Sequence, residues 1–153
     1  MAPLASCALL TSLKLSRTQV SGGFEPLSHC RDLREIRLRD CEQINGYLQP
    51  LTVLEQLERV DMQGCPWITG SIDVFARCSK LVEMNFNFCR AVEGTLSFMR
   101  RLPLLEICCL SRTKVRGSLT GFRGLYNLKI LKLGQTGIQG LSLRGGGWGS
   151  RIF

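Results

Sequence analysis

Eight cysteines and one histidine are the residues of this 153-residue chain best suited to chemistry. Cys41, in the stretch LRDCEQINGYL, sits among polar and charged residues, where a cysteine could be a metal ligand, a nucleophile or half of a disulfide. Zinc sites recruit their ligands as close pairs such as CxxC with His or Cys partners. Here Cys41, Cys65 and Cys89 are spaced 24 and 24 apart, and Cys108 and Cys109 are adjacent. A Ser/His/Asp or Cys/His arrangement would have to use His29, and nothing in the sequence places a carboxylate and a nucleophile beside it. The sequence holds no P-loop, HExxH or GxGxxG-before-helix pattern. The expectation is no catalytic site, no metal and no cofactor.

The elements that must position these residues come from self-similarity at a fixed period. The segments LTSLKL, LREIRL, LERVDM, LVEMNF, LEICCL and LKILKL begin at Leu10, Leu33, Leu57, Leu81, Leu105 and Leu128. A glycine column follows at Gly22, Gly46, Gly70, Gly94, Gly117 and Gly140. Two residues later comes an apolar column, Phe24, Leu48, Ile72, Leu96 and Leu119. A further apolar column runs Leu4, Leu27, Leu51, Phe75, Met99 and Phe122. Turns two to four are one residue longer than turns one, five and six, and such length changes are tolerated in turns. Each LxxLxL segment alternates apolar and polar as a half-buried strand does. One unit cannot bury its own apolar face, whereas stacked units can.

This pattern resembles the leucine-rich-repeat family, over about residues 4–143. The glycine-plus-apolar stretches ITGSIDVF, VEGTLSFM and VRGSLTGF are similar to the LxGxI variant of plant-type repeats, without its following proline. The strands LRDCEQI and MQGCPWI are similar to the cysteine-containing subclass. The resemblance implies an α/β repeat solenoid, an arc with a concave parallel β-sheet and an irregular or short-helical convex side. It spans residues 1–143 as about six repeats of 23–24 residues, followed by a Gly-rich tail at 144–153.

In register, the cysteines divide into columns. Cys7, Cys30 and Cys78 share one with Leu54, Leu102 and Leu125, a packing column in which Cys serves as a small hydrophobe. Cys108 shares a strand column with Leu13, Ile36, Val60, Met84 and Leu131. Cys41, Cys65 and Cys89 share theirs with Thr18, Thr113 and Thr136, where the family has Asn. The resemblance implies an inward side chain bonded to main-chain groups of its own and adjacent turns. Cys109, in a column with Lys14, Arg37, Asp61, Asn85 and Lys132, is expected to be exposed. Unpaired core thiols suit a reducing compartment, and no N-x-S/T sequon occurs, so the expected location is cytoplasmic.

The polar strand residues should face out from the concave sheet in rows: Ser12, Glu35, Arg59, Glu83, Ile107, Ile130; then Lys14 to Lys132 as above; then Ser16, Arg39, Gln63, Asn87, Ser111, Gly134. The next position adds Arg17, Asp40, Phe88, Arg112 and Gln135. Arg37, Arg39 and Arg59 should cluster, and arginine forks onto carboxylate or phosphate. Asn85, Asn87 and Phe88 make a polar patch with one aromatic. The candidate partner-binding set is therefore Arg37, Arg39, Arg59, Asp61, Asn85, Asn87 and Phe88. The bland alternative is that these are solvated sheet residues and that Glu35, Asp61 and Glu83 neutralise the arginines.

Composition sets limits on partners. At 44% hydrophobic and 21% charged the chain is an ordinary single domain. Its net charge of +8 favours acidic partners. No apolar run reaches the ~18 residues of a membrane span, and MAPLASCALL lacks the basic start of a signal peptide. The expected function is a non-enzymatic scaffold binding another protein through its concave face. The alternatives are nucleic-acid or acidic-partner binding, or the recognition segment of a larger receptor, kinase or ligase. PLASCALL matches PLSHCRDL in register, so a monomer or a piece of a longer array is expected.

Overall fold

The computed structural model describes residues 1–139. The expected tail at 144–153, the last residues of the expected solenoid and Gly140 lie outside the described residues. The strands, in chain order, are β1 (Ser12–Lys14), β2 (Glu35–Arg37), β3 (Asn45–Tyr47), β4 (Arg59–Asp61), β5 (Trp67–Ser71) and β6 (Glu83–Asn85). They continue with β7 (Ala91–Glu93), β8 (Ile107–Cys109), β9 (Arg116–Ser118), β10 (Ile130–Lys132) and β11 (Gly137–Gln139). The LxxLxL segments form one parallel sheet in the order β1-β2-β4-β6-β8-β10. Its register is the one the repeat dictates: Ser12, Glu35, Arg59, Glu83, Ile107 and Ile130 lie side by side, and so do Lys14, Arg37, Asp61, Asn85, Cys109 and Lys132.

Behind this sheet the apolar columns stack into a single core. Ile36, Val60, Met84 and Cys108 are sealed from solvent, as are Leu38, Met62, Phe86 and Leu110 and the column Leu27, Leu51, Phe75 and Met99. Each of the aliphatic, Met and Phe side chains among them contributes about 1.5–3 kcal/mol through burial. Cover thins at both ends, where Leu4, Leu10, Leu15, Leu128, Leu133 and Ile138 are only partly buried. Cys7 departs from the packing role of its column. It is exposed in the first of the described units, whereas Cys30 and Cys78 are buried.

The convex side is built from 3₁₀ turns at Ala2–Ser6, Glu25–His29, Gln49–Val53, Ile72–Arg77, Met99–Arg101 and Leu119–Phe122. Three of them carry proline in the first turn, where its missing N–H costs nothing. Two others are capped by serine: Ser71 Oγ accepts from the Asp73 N–H at 3.1 Å and Ser118 Oγ from the Thr120 N–H at 3.3 Å.

A second parallel ladder was not legible in the repeat pattern. Strands β3, β5 and β7 pair along the flank, and β9 pairs with β11. Bridges Gly22–Ile44 and Thr95–Arg116 extend the ladder. The glycine column makes it possible. At Gly94, φ is +125°, and a Cβ there would come within 3.0 Å of the Ile72 nitrogen, so only glycine lets adjacent repeats close to backbone contact.

Candidate functional site

The three thiols that opened the question point inward and donate. Cys41, Cys65 and Cys89 each place Sγ 2.9 Å from the carbonyl of the preceding repeat: Leu15, Leu38 and Met62 respectively. Thr18, Thr113 and Thr136, in the shorter turns, instead donate at 2.7 Å to Leu15, Leu110 and Leu133 of their own repeat. Cysteine thus cross-links repeats and threonine closes its own turn. Burial pushes the Cys65, Cys78 and Cys89 thiols up to about 12, far from the range of a nucleophile. Among the described residues no three His, Cys, Asp or Glu side chains are placed to hold a metal ion. His29 is exposed on a convex turn.

On the concave side the arginines are drawn into an ion-pair chain. Lys14 Nζ lies 2.8 Å from Glu35, Arg37 Nε 2.6 Å from Glu35, and Arg37 Nη2 3.0 Å from Glu83, two strands away. Hydrogen bonds from Lys14 and then Arg37 lower the Glu35 carboxyl to about 2, and Glu35 in turn raises Arg37. Arg39 meets the same oxygen of Asp61 through Nη2 at 2.9 Å and Nε at 3.2 Å. The cationic ends of these pairs are 30–62% exposed, which limits each pair to about 0–1 kcal/mol, so their main effect is to fix side-chain geometry. Arg59 lies between Glu35 and Glu83 in the first row, but Arg37 occupies both. Its nearest carboxylate oxygen is on Glu58 at 4.0 Å, and its side chain is 44% exposed.

Asp61, Asn85 and Asn87 occupy the expected rows and are buried, Asp61 to 2% exposure. Their oxygens cap strand-end amides. Asp61 Oδ1 accepts from the Gln63 N–H and Asn85 Oδ1 from the Asn87 N–H, both at 3.2 Å. Asn87 Oδ1 accepts from the Ser111 N–H of the next repeat at 2.9 Å. Ser16 and Ser111 do the same for Arg39 and Gly134 at 3.1 Å. Where the preceding third-row residue is Arg39, which has no acceptor, or the longer Gln63, a second-row Asp or Asn supplies the oxygen. The structure therefore sets these three residues in the frame, beside an accessible Arg59.

The expected exposure of Cys109 is corrected: it is buried, and desolvation raises its thiol. The inside of the arc crowds its central row, where Asp61 and Asn85 are buried too. Phe88 stays 44% exposed with Arg112 Cζ 5.1 Å from its ring centre. Its column adopts a left-handed backbone throughout: Arg17, Asp40, Gly64, Phe88, Arg112 and Gln135 have φ between +56° and +74°. Sequence reasoning missed this, because only Gly64 and, more weakly, Asp40 advertise it.

No family model matches the chain, and no curated protein matches it in sequence. Solved structures do. It is similar to an internalin C2 from Listeria monocytogenes, with TM-score 0.70 and 18% identity over 93% of this chain and 59% of that one. It is similar to a plant peptide hormone receptor, RGFR1, solved with RGF2, with TM-score 0.77 and 18% identity over 88% of this chain and 22% of that one. It is also similar to the leucine-rich-repeat ectodomain of the receptor kinase GASSHO1/SCHENGEN3 from Arabidopsis thaliana, solved with CASPARIAN STRIP INTEGRITY FACTOR 2. There the TM-score is 0.74 and the identity 24%, over 88% of this chain and 17% of that one. The chain thus spans about three fifths of the internalin and about a fifth of each receptor.

Proposed function

Because the chain is a leucine-rich-repeat solenoid, we propose that it is a protein-interaction module whose concave sheet binds a partner protein. Arg59 is an accessible cation near the middle of that face, and Phe88 its aromatic margin. Arg37, Arg39, Asp61, Asn85 and Asn87 hold the surrounding surface in one shape, which limits the ordering cost of binding. One observation carries the reading: Arg37 satisfies Glu35 and Glu83, leaving Arg59 exposed at the centre of a rigid sheet with no carboxylate closer than 4.0 Å. The solved internalin and receptors support the class of role only as proteins of the same fold.

The proposal includes a reducing compartment, supported by the thiol ladder: Cys41, Cys65 and Cys89 act as donors, which requires intact S–H groups.

Affinity capture from a lysate with the wild-type chain and with Arg59→Glu tests the surface. Loss of the wild-type partner in Arg59→Glu, with unchanged melting temperature, is the expected result. Full recovery of the same partner by Arg59→Glu would remove the concave face from the proposal.

A further inference from the structure

Charge is segregated along the solenoid. Of 20 Lys and Arg residues ten follow Glu93, whereas of 12 acidic residues only Glu106 does. Lys129 pairs with Glu106 at 2.8 Å. Among the described residues, Arg90, Arg112, Lys114 and Arg116 form no ion pair with a carboxylate. All four are exposed, and the stack brings them to one flank. Lys114 N–H bonds to the Val92 carbonyl at 2.8 Å and Arg116 N–H to the Gly94 carbonyl at 3.0 Å, which sets that stretch against β7. Arg90 and Arg112, from adjacent repeats, line an open hollow of ≈ 250 Å³ with Thr113 and Gln135. No carboxylate lines it. The hydroxyl of Thr113 is committed to the Leu110 carbonyl, so the hollow presents guanidinium donors.

We infer that this hollow anchors a second docking surface, on the flank of the solenoid, for an acidic segment of a partner protein. Arg112 is preorganised for it: its own left-handed turn and its seat over the Phe88 ring restrain the guanidinium, while the in-plane N–H groups remain available to fork onto a carboxylate. Trp67, 66% exposed in β5, supplies apolar contact two repeats away along the same flank. A protein segment fits better than a nucleic-acid strand. The ring of Phe88 is already covered on one face by Arg112, so it is a poor stacking platform. Glu93, exposed in β7 one repeat before Arg116, also lies across the path. An evenly charged phosphate backbone would have to cross that carboxylate, whereas a peptide can place its acids to either side.

The test uses the full chain and a fluorescein-labelled oligoglutamate of about ten residues, read by anisotropy at low salt. Arg90→Gln/Arg112→Gln and Arg90→Glu/Arg112→Glu are compared with Arg100→Glu/Arg123→Glu, which makes the same charge change on the convex side. The expected result is about tenfold or greater weakening for both Arg90/Arg112 variants, at unchanged melting temperature, and less than about threefold for the convex control. Equal weakening by the two charge-reversed variants would reduce the effect to net charge and overturn the site. So would absence of peptide binding to the wild-type chain, or tighter binding of an oligouridylate of the same length.

Discussion

The side-chain oxygen of Asn87 accepts the backbone N–H of Ser111, one repeat further on, at 2.9 Å. Asn87 is itself buried, so the bond is partly screened from water. Removing the acceptor leaves a strand-end amide without a partner, at a cost of about 1–2 kcal/mol. Ser16 and Ser111 perform the same task in the same row. Asn87→Ala is therefore expected to lower the unfolding free energy by that amount, read as a lower urea midpoint at constant m-value, and Asn87→Ser to recover most of it. A serine variant as unstable as the alanine one would show that Asn87 acts through packing rather than capping.

Two glycines separate backbone strain from crowding. Gly94 has φ +125°, and a Cβ there would approach the Ile72 side chain to 2.8 Å and its backbone nitrogen to 3.0 Å. Gly124 has φ +82° with nothing within 4 Å. Alanine at Gly124 carries the positive-φ penalty alone, about 1–2 kcal/mol. At Gly94 it must also force adjacent repeats apart, adding about 1–3 kcal/mol. Thermal melts of Gly94→Ala and Gly124→Ala should rank in that order. Equal losses would mean that the second ladder yields without cost.

The cysteines predict a labelling pattern. Cys7 is the exposed thiol and the other seven are buried. The Cys65, Cys78 and Cys89 thiols stand at about 12, so the reactive thiolate is scarce near neutral pH. An aromatic disulfide reagent should label one thiol of the native chain quickly and none in Cys7→Ser. The rest should react only as fast as the repeats open locally. Fast labelling of Cys109 would restore its expected exposure and contradict the crowding of the central concave row.

The solenoid was legible because its signal is repetition. Columns such as Ile36, Val60, Met84 and Cys108 exchange residue types freely but keep their spacing, and only a shared core position explains that. The inward thiol ladder was implied by the family resemblance, because Cys65 and Thr113 fall in the column where the family has Asn. What the sequence hid depends on long side chains and on curvature. That Arg37 reaches across two strands to Glu83, and so leaves Arg59 open, depends on rotamers rather than on columns. Asp61 and Asn85 read as surface recognition residues until the amides of Gln63 and Asn87 were seen beneath them. The left-handed column containing Phe88 was masked because, Gly64 and Asp40 apart, its residue types are not those that favour such a backbone.

Glu35 predicts an acid limb of stability. Hydrogen bonds from Lys14 and Arg37 lower its carboxyl from 4.5 to about 2. The folded chain thus holds fewer protons than the unfolded chain between those two values, and stability must fall as pH drops through that window. The contribution is fully present above the unfolded value and is lost on approaching about pH 2. Solvent access to Lys14, whose side chain is 62% exposed, screens the pair and limits the effect to about 1 kcal/mol. Glu35→Gln should therefore be less stable than wild type at neutral pH. The two should converge as pH falls from about 4.5 towards 2, and about 0.5 M salt should narrow the gap at neutral pH. Parallel stability curves for the two chains across that acid window would place the acid-sensitive group elsewhere.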